Sequence, residues 1–237
     1  QLTPNMRRIT VGGQALADFP VGSEGGYIKL LFPTPDFRPA DFSANDKPIL
    51  RTYTIRHHRA DKNELDIDFV VHGDSGVAAQ WCQYAKPGNE IAFAGPGNLK
   101  AINTSADWFL FVADMAAMPA ALAVLSTLPQ TAVGTVFFEI LCAEDQQPVQ
   151  APPGINIEWL VQSEPGREGA ALIDKVRGLD FPTGEPGIFI AGEWKLATAL
   201  RDHLRNDRLI DRKIPYISSY WKRGADEEAH KRDKKTF

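Results

Sequence analysis

Cysteine is scarce: Cys82 and Cys142 are the two in 237 residues, and they form no CxxC pair. That excludes a disulfide-held scaffold, disfavours a thiolate metal centre and fits a reducing compartment. Long apolar runs are missing too. The richest stretch, Trp108 to Leu128, is preceded by Asp107 and broken by Asp114 and Pro119. Nothing offers the roughly 18 uninterrupted apolar residues of a membrane span. Positive charge is not in excess: 26 Lys and Arg face 30 Asp and Glu, a net −4, whereas a general nucleic-acid binder is basic. Between Ala101 and Gly166 there is no Lys or Arg at all, against seven acids. No secretory leader is legible after Gln1. The expectation is a cytoplasmic monomer that engages neither membrane nor nucleic acid. What is present is ordinary: 43% hydrophobic and 24% charged residues, values that exclude disorder across the bulk of the chain.

The chain changes character near its middle. The first hundred residues read as short strands: Tyr27 to Phe32, Ile49 to His57, Leu65 to Val71 and Glu90 to Phe93, the last ended by Gly95-Pro96-Gly97. Alternation between Gly, Pro and Asp turns predicts a small antiparallel barrel, interrupted by a helix over Gly76 to Ala85. The second half alternates strand and helix. Strands are expected at Trp108 to Ala113, Val133 to Cys142, Ile155 to Val161 and Gly187 to Ala191. Helices are expected at Met118 to Leu128, Glu168 to Val176 and Lys195 to Asp207. That order predicts a parallel, doubly wound α/β sheet. The expected domains are 1–101 and 102–237, joined near Leu99 to Ser105, with a charged and solvated C-terminal helix.

The sharpest local string is Arg51-Thr52-Tyr53-Thr54-Ile55-Arg56. Strand alternation puts Arg51, Tyr53 and Ile55 on one face and Thr52, Thr54 and Arg56 on the other. An arginine forks onto phosphate, a tyrosine offers a flat surface to a ring, and a threonine hydroxyl can meet a ring nitrogen. An edge strand with solvated arginines has the same pattern. About twenty residues on, His72-Gly73-Asp74-Ser75-Gly76-Val77-Ala78 leads through two glycines into a helix, whose free N–H groups and dipole suit an anion. A plain strand-turn-helix joint would read the same. The order of the two strings could supply a ring cradle and a diphosphate cradle in one barrel.

Taken with these strings, the chain resembles the siderophore-interacting protein family of flavin-dependent ferric-siderophore reductases, within the ferredoxin-reductase-like superfamily. The resemblance rests on Leu2-Thr3-Pro4 with Met6-Arg7-Arg8, on R-x-Y-T-x-R at 51–56, and on His72-Gly73 with Gly76, Ala78 and Trp81. It continues through Pro87-Gly88, Gly95-Pro96, Asp114 with Pro119, Ala191-Gly192-Glu193 and Tyr220-Trp221-Lys222-Arg223-Gly224. It implies an FAD-binding barrel followed by a pyridine-nucleotide-type α/β domain. Arg51 would meet the FAD diphosphate, with Thr52 beside it. Tyr53 would lie along the isoalloxazine, and Thr54 would stand near its reactive edge. Val71, His72 and Gly73 would sit near the ring, Gly76, Val77 and Ala78 would wrap the diphosphate, and Trp221 would return toward the flavin. Asp114, Pro119, Ala191, Gly192 and Glu193 would face the nicotinamide nucleotide. The implied activity is reduction of ferric siderophores to release iron as Fe(II). The alternatives are a general flavin or ferric reductase that passes electrons on, and a non-enzymatic siderophore-binding protein.

Many relatives carry Gly-Asp-x-Thr-Ala-x-Pro where this chain has Ala113-Asp114-Met115-Ala116-Ala117-Met118-Pro119. A glycine and a threonine have become alanines, which narrows backbone approach and removes a hydroxyl. Glu144 and Asp145 follow the second strand of the α/β half and suit a ribose hydroxyl better than a 2′-phosphate. NADH rather than NADPH, or an electron-carrier protein such as a ferredoxin, is therefore the expected donor. Anionic ferric siderophores call for a basic groove, with Lys47, Lys100, Lys222 and Arg223 as candidates. No resident metal site is expected. His57 and His58 face opposite ways on a strand, Met115 and Met118 read as packing, and Glu64, Asp66 and Asp68 read as the solvated side of a strand.

Overall fold

The structure, a computed structural model, describes residues 1–32, 48–71, 76–97, 102–162 and 166–234. The chain divides into two compact units, 1–99 and 100–237. In chain order the first unit holds β1 (Met6–Gly12), β2 (Tyr27–Phe32), β3 (Ile49–Thr54), β4 (His57–Arg59), β5 (Glu64–Val70), α1 (Val77–Tyr84) and β6 (Ala92–Gly97). Its strands form two three-stranded antiparallel sheets, ordered β1-β5-β4 and β3-β2-β6. Ile28, Leu30, Phe32, Ile55, Leu65, Ile67 and Phe69 fill the core of this unit, and Ala78 and Cys82 of α1 pack onto it.

Three details depart from the expectations. The run Ile49 to His57 is two strands, because the chain changes sheets at Ile55-Arg56. There the amide of Ile55 donates to Gly26 O at 2.9 Å, and that of Arg56 donates to Asp66 O, also at 2.9 Å. Gly95-Pro96-Gly97 continues β6 instead of ending it, since a register shift opposite Tyr27 to Lys29 accommodates the segment. Finally, Asp66 and Asp68 are buried, not solvated. Their face of β5 is covered by arginines of β1 and β4, and a carboxylate with such a partner can go inside.

The second unit holds β7 (Trp108–Ala113), α2 (Met118–Leu125), β8 (Val133–Ile140), β9 (Gly154–Val161), α3 (Ala170–Arg177), β10 (Pro186–Glu193), α4 (Trp194–Asp202), β11 (Tyr216–Trp221) and α5 (Glu227–Lys234). The five strands are parallel in the order β11-β10-β7-β8-β9. All six residues of β7 are buried, as a central parallel strand covered on both faces requires. Every residue of α2 is buried as well, which explains its unbroken Ala/Leu composition. Gly134 lets β8 approach β7: a Cβ there would stand 2.1 Å from the Phe109 carbonyl oxygen. The expected helix Lys195 to Asp207 ends at Asp202 and passes into a π-turn over His203–Asp207. His203 Nδ1 and Asp207 Oδ2 lie 2.7 Å apart across that turn. Among the described residues no helix is long and apolar enough to cross a membrane.

Candidate functional site

The first unit places Arg51, Thr52, Tyr53 and Thr54 on β3, opposite Leu30, Lys29, Ile28 and Tyr27 of β2. Tyr53 is half-buried and lies at the end of an aromatic series. Its ring centroid is 4.3 Å from that of Phe69, which is 5.9 Å from Trp81. Thr54 is buried at 8% exposure. Thr52 points the other way and accepts a hydrogen bond from Lys29 Nζ at 3.1 Å. The Arg51 guanidinium donates to the Leu50 carbonyl at 2.8 Å, and no carboxylate among the described residues pairs with it. Val71 closes the neighbouring strand, its amide donating to Asn5 O at 2.9 Å. His72 and Gly73 lie outside the described residues.

The helix that follows starts at Gly76, its N-cap residue, which is at φ 107° and has no side chain with which to cap the first turn. A Cβ built on Gly76 meets nothing within 4 Å. The first-turn amides at Val77 and Ala78 therefore stand at an open, dipole-positive helix end. A half-buried aromatic ring, an arginine with no carboxylate partner among the described residues and a glycine-led helix start are the donor set that a flat ring joined to a diphosphate needs. The residues present fit a flavin dinucleotide.

A polar cluster fixes the far end of the motif. Arg59 clamps Asp66 through Nη1 and Nη2, each at 2.7 Å, and reaches Glu64 at 2.8 Å. Asp66 also accepts from Thr10 at 2.7 Å and faces His57 Nδ1 at 3.1 Å. Burial alone would raise the carboxyl pKa of Asp66, but Arg59, Thr10 and His57 hold it well below the usual carboxylate range. Arg8 makes a second clamp on Asp68, at 2.6 and 2.7 Å. Burial, with Arg56 nearby, lowers the His57 pKa. Among the described residues no group of three His, Cys, Asp or Glu could hold a metal.

In the second unit the chain leaves β9 on one flank and returns at β10 on the other side of β7. The switch point of the sheet therefore lies between β7 and β10, where open α/β sheets bind ligands at their carboxyl ends. Asp114 stands there. Its Oδ2 accepts from Trp221 Nε1 at 2.7 Å and from the Glu193 amide at 2.9 Å, and its Oδ1 accepts from the Ala117 amide at 3.1 Å. The ends of β7, β10 and β11 and the start of α2 thus meet on one carboxylate. Gly192 makes room for it: a Cβ there would stand 2.6 Å from Asp114 Oδ2. Glu193 is buried and caps α4 by accepting from the Lys195 amide. Ala191 is fully buried between Ala113 and Ser218 in the sheet, and Pro119 is buried in the first turn of α2. The structure brings together Asp114, Gly192, Glu193 and Trp221, while Ala191 and Pro119 are packing residues. Burial pushes the Asp114 pKa up to about 6, against the lowering effect of hydrogen bonds from Trp221 and from the Ala117, Glu193 and Ala116 amides.

Sequence reasoning missed Glu139, which sits in β8 one register step beyond the Ala113–Phe138 pair. Both its oxygens face the Gly169 amide, at 2.9 and 3.1 Å. Burial, with the charge of Asp114 adding to it, raises its pKa to about 7. An acid inside the apolar run Phe137-Phe138-Glu139-Ile140 was the legible signal. Between its unfolded value near 4.5 and about 7, the folded chain binds more proton at Glu139 than the unfolded chain does. Its contribution is therefore present at low pH and lost as pH rises through about 7. Glu139→Gln keeps an acceptor for Gly169 and is expected to raise Tm by about 3 °C at pH 8 while matching the parent at pH 4.5. Thermal melts across that range check this; equal melting at pH 8 would show that the ionised carboxylate is tolerated.

The candidate basic residues separate. Lys47 and Lys100 lie outside the described residues. Lys222 pairs with Asp233 at 2.5 Å and lies 5.2 Å from the Trp194 ring centroid. Arg223 pairs with Glu168, and its amide donates to Glu193 at 3.2 Å. Half-exposed pairs of this kind are weak and exchangeable. Asp145 is fully buried and accepts from the Cys142 amide at 3.1 Å. It caps a turn instead of facing a ribose, which leaves Glu144 as the exposed acid of that pair. The charged end of the chain is a docked helix: His230 is buried against Ser219 at 2.8 Å, and Lys234 Nζ donates to Ser218 Oγ and Ser219 O, each at 2.8 Å.

Comparison with known proteins agrees with this geometry. Residues 1–100 match the siderophore-interacting FAD-binding domain, and residues 106–224 match the siderophore-interacting protein domain. The chain is 36% identical to ferric vibriobactin reductase ViuB of Vibrio cholerae, over 97% of this chain and 88% of that protein. It is 28% identical to the NADPH-dependent ferric-chelate reductase of Escherichia coli, over 93% and 89% of the two chains. The crystal structure of the siderophore-interacting protein SipS from Aeromonas hydrophila superposes with a TM-score of 0.88 at 33% identity, covering 100% of this chain and 93% of that one. With an FAD-binding domain of antiparallel sheets, a parallel five-stranded partner domain and matches along nearly its whole length, the chain belongs to the siderophore-interacting protein family.

Proposed function

We propose that this protein is an FAD-dependent reductase that converts ferric siderophores to the ferrous state, from which the iron is released. The observation that carries the reading is the union, in an FAD-binding domain, of the Arg51/Tyr53/Thr54 strand with the glycine-led start of α1. Arg51 and the first-turn amides of α1 hold the diphosphate. Tyr53 presents its ring face to the isoalloxazine, and Thr54 places a hydroxyl near the reactive edge. The bound flavin supplies the conversion of a two-electron donor into the one-electron steps that iron accepts. Ferrous iron is a softer partner for catecholate and hydroxamate oxygens, so it leaves a chelate that held ferric iron tightly. The chain needs no iron ligand of its own for this. Lys47, Lys100, Lys222 and Arg223 attract the anionic chelate by local charge, despite the overall negative balance.

The donor is NADH in preference to NADPH, because Glu144 at the end of β8 repels a 2′-phosphate. An electron-carrier protein is the second reading, favoured by Asp114. Its carboxylate already takes the Ala117 and Glu193 amides at the switch point, donors that a nucleotide would otherwise use. Steady-state rates with NADH, NADPH and a reduced ferredoxin rank the three, and a clear NADPH preference overturns the assignment.

The activity is tested by photoreducing the FAD-loaded protein anaerobically, adding a ferric catecholate or a ferric hydroxamate, and trapping Fe(II) with a ferrous-specific dye. Reoxidation of the flavin with stoichiometric trapped Fe(II) is expected. Reoxidation by free flavin alone, with no Fe(II) from either chelate, would instead make the protein a general flavin reductase. A colourless protein that binds the chelate without reducing it would make it a carrier.

A further inference from the structure

Helix α5 docks with almost no apolar side chain of its own. Its eight residues are Glu, Glu, Ala, His, Lys, Arg, Asp and Lys, and His230 is the buried one. The contacts that hold it to β11 and the start of α4 are mostly polar. His230 Nε2 lies 2.8 Å from Ser219 Oγ, and its ring meets that of Trp194 edge-on at 6.1 Å. Lys234 Nζ donates to Ser218 Oγ and to Ser219 O. Asp233 accepts from Lys222 Nζ at 2.5 Å, and the two side chains are 42% and 36% exposed. A helix this short is not stable by itself in water, so its folding and its docking are one event. Without apolar burial to fix it, such a segment opens locally at small cost.

The same docking places a carboxylate on a cation of the proposed chelate groove. Lys222 directly follows Trp221, the last residue of β11. Its Nζ lies 5.2 Å from the Trp194 ring centroid. A ring face attracts an ammonium without using its N–H donors, so Lys222 keeps a support when Asp233 withdraws. An anionic ferric chelate offers Nζ what Asp233 already supplies, a negatively charged oxygen. Two anions on one ammonium repel each other, so the chelate gains most where the carboxylate leaves. We propose that α5 is a displaceable strap: Asp233 competes with the anionic ferric chelate for Lys222, and chelate binding releases the helix. This rests on the proposed reductase function, with Lys222 among its chelate-attracting cations, and adds to it a regulation by α5.

Gallium(III) chelates match ferric ones in charge and shape but accept no electron, so they separate binding from reduction. The FAD-loaded protein is titrated with each chelate, following quenching of tryptophan fluorescence. Asp233→Asn should tighten an anionic gallium tricatecholate about threefold, the scale of a half-exposed ion pair, and leave a neutral gallium trihydroxamate about unchanged. Lys222→Ala should weaken the tricatecholate, and Asp233→Asn should add nothing in that background. Glu228→Gln removes the same charge from an exposed position of α5 and should not tighten binding. In the parent, amide hydrogen exchange over 227–234 should speed up at saturating tricatecholate. Equal affinity of parent and Asp233→Asn, equal tightening by Glu228→Gln, or unchanged exchange overturns the strap while leaving the reductase intact. A parent protein that binds neither chelate and releases no Fe(II) from the ferric forms removes the functional reading itself.

Discussion

Arg51→Ala is expected to purify as a folded but almost colourless protein, with FAD affinity lowered about 10- to 100-fold, the scale of losing a charge-assisted phosphate contact. The physical ground is the state of the guanidinium. It spends one donor on Leu50 O and meets no carboxylate among the described residues, so no described acid competes with a diphosphate for its charge. Removing it sacrifices no ion pair among the described residues, and the β2–β3 backbone pairing and the Lys29–Thr52 hydrogen bond do not involve its side chain. Far-UV circular dichroism and Tm should stay close to the parent while the flavin dissociates on dilution. Arg51→Lys should recover part of the affinity, because an ammonium keeps the charge and loses the fork. Parental affinity in Arg51→Ala would move the diphosphate away from β3.

Asp66→Asn should produce the largest stability loss, about 3 kcal/mol, the scale of deleting one partner of a buried charge pair. The amide oxygen can satisfy Thr10 or one arm of Arg59, but not both arms of Arg59, Thr10 and His57 together. Its NH2 group would also point a donor at a guanidinium. The Asp66 carboxyl is held below its ordinary value in the folded chain. Its contribution is therefore present above the unfolded value of 3.8 and fades as pH falls below it. Melts at pH 7 should show a drop of about 9 °C, at roughly 3 °C per kcal/mol for a chain of this size, and the difference should begin to shrink as the pH falls below 3.8 and go on shrinking in stronger acid. Flavin affinity should weaken too, because the Arg56 amide leaves β3 on the Asp66 carbonyl and a loosened β4–β5 pair frees the end of the flavin strand. A difference that does not shrink at all as the pH falls below 3.8 would mean that packing, and not charge, is what Asp66 supplies.

The elements that sequence placed well are those whose signal is local. Trp108 to Ala113 reads as a doubly covered strand because its six apolar residues are rich in aromatic and β-branched side chains, unlike the Ala/Leu run of α2, and β7 has those bounds. The strand Arg51 to Thr54, the glycine before α1 and the βα alternation after residue 105 are likewise short-range patterns. Each carries its own propensity and spacing, and together, in order, they identify the family. Elements without a pattern of their own were lost. β1 and β11 went unread because Met6–Gly12 and Tyr216–Trp221 are strands only by virtue of the neighbours they pair with.

Charge was the least legible property. Residues 101–166 look like an acidic surface, yet Asp114, Glu139 and Asp145 are buried there, and Glu158 is paired with Lys175 at 2.7 Å. Likewise Asp66 and Asp68 alternate as a solvated face would, and arginines from two other strands cover them. The amino-acid sequence alone determined the two-domain architecture, the family and the strand proposed to meet the flavin, because periodicity and motif order act over a few residues. The tertiary structure alone decided which carboxylates are buried and that Asp114 occupies the switch point. Those outcomes depend on which distant segments supply the hydrogen bonds that pay for desolvation, and linear spacing does not carry that information.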